Sequence, residues 1–79
     1  MREFAESIGA ELTAKQAQVV RSLRVDRGFS WRAVAAEFCE RFPDAEFAEG
    51  LAGNQLLGMA LCEAAARMLG EDPDAAPWN

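Results

Sequence analysis

Apolar positions along this chain recur at helical intervals from near its start. Phe4, Ile8 and Leu12 are spaced by four and share one face, which predicts a short helix over 3–11. Gly9 interrupts it, at about 1 kcal/mol relative to alanine in a helix interior. Thr13-Ala-Lys-Gln16 then has the form of a capping box, in which a threonine hydroxyl and a glutamine side chain satisfy each other's backbone amides. It predicts a helix over 14–27, with Ala17, Val20 and either Leu23 or Arg24 along one side and Gly28 as the left-handed residue that ends it. Ser30 is a favourable cap for the next helix, 31–42, with Phe29 and Val34 placed to staple its start. Trp31, Val34, Ala35, Phe38 and Phe42 form its apolar stripe, Arg32, Glu37, Glu40 and Arg41 lie off that stripe, and Pro43 stops the helix.

Residues 43–53 break this periodicity, with Gly50 and Gly53 bracketing at most a turn of helix. A last helix is predicted over 54–69, capped by Asn54 and ended by Gly70. Leu57, Leu61, Ala64 and Met68 mark one of its faces, but Leu56, Met59 and Leu69 fall elsewhere, so it is apolar on most sides. Such a helix belongs at the centre of a domain or of an oligomer. Glu63 and Arg67, four residues apart, mark its exposed strip. The tail at about 71–79, EDPDAAPWN, is Pro-rich and predicted irregular. No internal repeat is present.

These elements predict one small all-α domain over 1–79: a compact bundle of three or four helices with a helical hairpin at its centre. Its expected core is Val20, Leu23, Trp31, Val34, Phe38, Phe42, Leu57, Leu61 and Met68. A chain of 79 residues buries only about 60% of the surface that it exposes unfolded, so helix packing carries most of its stability.

Charge divides the chain. The net charge is −5, but residues 1–32 hold six bases against four acids, and residues 33–79 hold two bases against nine acids. An acidic balance disfavours non-specific contact with nucleic acid. No segment has the continuous apolar run of a signal peptide or a membrane span, and the cytoplasm is the expected location.

Candidate chemistry is sparse. The chain contains no histidine and no tyrosine, and its one lysine sits in the first turn of a predicted helix. Cys39 and Cys62 lie among apolar residues, where a thiol is inert packing, and the glycines are too scattered to cradle a phosphate. Neither a catalytic group nor a cofactor or metal site is expected, and the chain reads as a non-enzyme.

Two sets of residues stand out instead. Arg21, Arg24 and Arg27 recur at intervals of three, and Arg32 follows the turn, so these four are the candidate contacts to nucleic-acid phosphates. The competing expectation is a solvated strip that pairs with the acidic half of the chain. Gly58, Cys62 and Ala66 form a seam of small side chains, suited either to association with a second copy as a homodimer or to a close crossing against residues 31–42. Trp31 is expected in the core. Trp78 either folds back onto the helices or stands as an anchor for another protein.

The segment QAQVVRSLRVDRGFSWRAVAAEFCERF, residues 16–42, resembles the first two helices of helix-turn-helix domains of the resolvase and sigma-factor kind. The resemblance implies a trihelical arrangement in which Val20 and Leu23 meet Trp31, Val34, Ala35 and Phe38. In those families a recognition helix follows with polar and basic residues for the major groove. Here Asp44, Glu46 and Glu49 come next with no base among residues 43–53, and the last helix lacks a base near its start. The expected function is therefore a non-catalytic module for contact with a protein partner or with itself. A helix-turn-helix regulator that binds nucleic acid through the arginines is the alternative.

Overall fold

In the computed structural model, residues 12–43 and 55–78 are described. They form three α-helices and a short π-helical segment in the order α1 (Ala14–Arg21), π segment (Ser22–Asp26), α2 (Trp31–Arg41) and α3 (Gln55–Met68), with no strand among the described residues. The helix expected over 3–11, the Asn54 cap and all of segment 43–53 except Pro43 lie outside the described residues.

The helix starts form where the polar residues ask for them. Thr13 Oγ1 accepts from the Gln16 amide at 3.1 Å, and Gln16 Oε1 accepts from the Thr13 amide at 2.9 Å, which completes the capping box of α1. Ser30 Oγ accepts from the Ala33 amide at 3.2 Å and starts α2. Each such cap stabilises a helix by about 1 kcal/mol.

The first long helix departs from expectation. The chain continues past Arg21 not as an α-helix but as a π-helical turn, closed by the Arg27 amide on the Ser22 carbonyl at 3.0 Å, and beyond it the Phe29 amide reaches six residues back to the Leu23 carbonyl at 3.0 Å. Bonding to the fifth residue back widens the turn and reduces the rotation per residue below that of an α-helix. An i, i+3 row of arginines therefore cannot continue straight through residues 21–27. Gly28, at φ +68°, turns the chain out of this segment as expected.

α3 is the central element. It packs extensively against both α1 and α2, which touch each other at few points and meet chiefly through it. Leu57, Ala60, Leu61, Ala64, Ala65 and Ala66 are buried along it, joined by Val20 and Leu23 from the first segment and by Val34, Ala35 and Phe38 from α2. The larger of these side chains contribute about 1.5–3 kcal/mol each by leaving water. The Cα radius of gyration, 10.7 Å, is that of a compact chain, for which about 10–12 Å is expected.

Three core expectations are corrected. Met68 lies on the predicted face but in the last turn of α3, where no described element covers it, and it is 45% exposed. Trp31 and Phe42 are only partly buried and pack at the margin of the core. Their places inside are taken by Leu12, by the alanines of α3 and by Trp78, which is 2% exposed.

α3 ends in a Schellman motif. Gly70 sits at φ +76°, its amide bonds the Arg67 carbonyl at 3.1 Å, and the Glu71 amide bonds the Ala66 carbonyl at 2.7 Å. Two turns follow: the Ala75 amide closes on the Asp72 carbonyl and the Trp78 amide on the Ala75 carbonyl. They turn the tail back so that Trp78 re-enters the core.

Candidate functional site

Each of the four candidate arginines has a distinct setting. Arg21 donates from Nε to Glu71 Oε2 at 2.8 Å, and its Nη1 lies 3.7 Å from Asp26 Oδ1. Arg24 donates from Nε to the Trp78 carbonyl at 2.9 Å and from Nη1 to the Phe29 carbonyl at 2.7 Å, and its guanidinium lies 4.7 Å from the centre of the Trp31 ring. Arg27 and Arg32 are exposed, with Arg27 lying over the Phe29 ring at 4.7 Å. Two of the four are thus tied into the fold, and two point to solvent on either side of the Gly28 turn.

Arg21 and Arg24 hold the tail from two sides. Glu71 accepts from Arg21 through Oε2 and from the Trp78 indole Nε1 through Oε1 at 3.0 Å, while Arg24 takes the Trp78 carbonyl. Every polar group of the buried Trp78 is therefore engaged: its amide by Ala75, its indole by Glu71 and its carbonyl by Arg24. Glu71 reaches its place because the Schellman turn fixes the residue after Gly70. Neither partner was legible from helical periodicity, because the contact joins residues about fifty positions apart and depends on that turn.

The hydrogen bond from Arg21, aided by that from Trp78, holds the Glu71 carboxyl below its ordinary range near 4.5. Its ionised form is favoured in the folded chain, so its contribution to stability is complete above the unfolded carboxylate pKa and is lost as pH falls through the lower, folded value. The difference in urea midpoint between wild type and Glu71→Gln is expected to be largest near neutrality and to shrink on acidification through that window. A difference independent of pH would show that the carboxylate charge has no part in holding the tail.

The seam of small residues lies inside the chain. Gly58 is buried with Cys62 and Ala66, and a Cβ added at Gly58 would overlap the backbone carbonyl of Trp31 at the start of α2. The close approach at Gly58 is therefore made within the molecule, between α3 and α2. Cys62 has its thiol pushed up to about 12 by burial, against a smaller opposing effect of the Arg24 charge, and burial also raises Cys39. Both are free thiols held in their un-ionised form. Among the described residues no group of three or more Cys, Asp or Glu side chains is placed to hold a metal ion. No described helix is long and apolar enough to cross a membrane.

A cleft of about 420 Å³ opens between the first helical segment and the last turn of α2. Lys15, Gln18, Val19 and Ser22 line it at the i, i+3, i+4, i+7 positions of one helical strip, Leu23 and Arg27 extend that wall, and Arg41 closes the far side. Lys15 and Arg41 were not among the residues singled out in the sequence. The Lys15–Gln18–Ser22 strip is readable from helical spacing, but the arrival of Arg41, from another helix, is not.

No protein-family model matches the chain, and comparison with curated proteins and with solved structures gave no match.

Proposed function

We propose that this chain is a small non-catalytic interaction module of the cytoplasm that works by contacting another protein. In this reading the fold is a bundle of three or four helices, with the α1–α2 hairpin as its helix-turn-helix-like centre. The observation that carries it is the placement of the arginines. Arg21 is committed to Glu71 and Asp26, and Arg24 to the carbonyls of Phe29 and Trp78, so the first half of the strip that a nucleic-acid backbone would follow is already engaged. Beyond this lie the exposed acids Glu40, Asp72 and Asp74, which repel phosphate and suit a basic partner surface. Self-association is one form that such contact can take, and sedimentation over a range of concentrations reads it directly.

The alternative, a nucleic-acid-binding regulator, draws on one specific observation: Arg27 and Arg32 are exposed, and no carboxylate pairs with either among the described residues. Titrating isotope-labelled protein with short duplex DNA separates the two readings. At physiological salt no saturable amide shift is expected on residues 21–32, because two cations on an acidic chain release too few counterions to hold a duplex. Saturable shifts there that weaken steeply as salt rises would overturn the interaction-module reading in favour of the regulator.

A further inference from the structure

We propose that the cleft between α1 and the last turn of α2 binds a small oxyanion, a carboxylate or a phosphate carried on a short apolar group. Among the described residues three cations, Lys15, Arg27 and Arg41, line it and no carboxylate does, in a chain whose net charge is −5. Convergence of one sign of charge within a cleft concentrates field there. The volume falls within the range of about 300–1,000 Å³ typical of small-ligand sites.

The lining divides by chemistry. Val19 supplies an apolar wall, with the buried Leu23 beneath it, and the Ser22 hydroxyl adds a donor beside the cations. Arg27 is already ordered over the Phe29 ring, so less side-chain freedom is lost when its guanidinium engages an anion. Arg41 is tethered through Nε to Glu37 Oε1 at 3.3 Å, which leaves the terminal nitrogens of its guanidinium as donors. Glu37 itself does not line the cleft. This site is independent of the identity of any protein partner and stands or falls by its own test.

The test is an NMR titration with hexanoate and phenyl phosphate as amphiphilic anions, and with acetate and hexanol as the separated head and tail. Either amphiphilic anion is expected to shift the amides of residues 15–23 and 41 saturably, with acetate and hexanol each weaker by about ten-fold. The stronger of the two anions identifies the head group. The double variant Lys15→Gln/Arg27→Gln, changed at two exposed positions, is expected to weaken binding by about twenty-fold, while Arg32→Gln leaves it unchanged. Raising the salt concentration on the wild-type protein gives a reading that does not depend on any variant, and the affinity is expected to fall. The proposal is overturned if neither anion produces saturable shifts through the millimolar range, if hexanol matches hexanoate, or if the double variant or added salt changes nothing.

Discussion

Replacing Trp78 by alanine is expected to destabilise the protein by about 3–5 kcal/mol, the usual cost of emptying a large aromatic site. The side chain is 2% exposed and is among the largest fully buried groups of the chain. A domain of this size has about 4–12 kcal/mol in total, so the loss takes a large share of it. The melting midpoint is expected to fall by on the order of 15 °C or more, given that 1 kcal/mol corresponds to about 4–8 °C at this chain length. Trp78→Phe separates packing from polar contact. It keeps most of the apolar volume but removes the indole N–H from Glu71 Oε1, which leaves a loss of about 1–2 kcal/mol. Thermal and urea unfolding of the three proteins, followed by far-ultraviolet circular dichroism, would measure both steps. A Trp78→Ala protein as stable as wild type would mean that the tail does not belong to the core.

Gly58→Ala is the second large effect, and its sign is diagnostic. In a solvent-facing stretch of helix, this change gains about 1 kcal/mol, because glycine is the poorer helix former. Here the added Cβ overlaps the Trp31 carbonyl, which is backbone at a helix start and cannot rotate away. α3 must shift from α2, and overpacking of this kind costs about 1–3 kcal/mol, occasionally more. A net loss of about 2 kcal/mol in urea denaturation is therefore expected. A gain in stability would show that the two helices are further apart than the structure has them. Because Trp31 also carries the Arg24 guanidinium on its ring, a shift at Gly58 is expected to loosen the hold on the Trp78 carbonyl as well. Gly58→Ala and Trp78→Phe are accordingly expected to be non-additive when combined.

Local chemistry in the sequence was enough for four ends of the described helical segments, though not for the π-helical turn after Arg21. Thr13 with Gln16 and Ser30 start two of them, Gly28 and Gly70 end two of them at positive φ, and no neighbouring element is needed for either device to work. The same is true of the central place of the last helix, since apolar residues on most of its sides require burial on most of its sides. The candidate site was legible only in fragments. Arg21, Arg24, Arg27 and Arg32 were evident as a cluster, but their division into two structural and two exposed residues was not.

What the tertiary structure alone decided concerns contacts between distant residues. Trp78 had no periodic partner, and both of its expected fates satisfied the local sequence; the return of the tail toward Glu71 and Arg24 chose between them. The small-residue seam offered the same approach to a second copy or to the chain's own α2, and at Gly58 it is the Trp31 backbone of α2 that makes it. Met68 kept its predicted face yet lost its cover, because a helical wheel records direction around an axis and not how far a neighbour extends along it. The cleft required Arg41 to meet Lys15 and Arg27 across two helices. Caps and periodicity act over about four residues, whereas these outcomes depend on how whole helices are placed against one another, which short-range patterns do not encode.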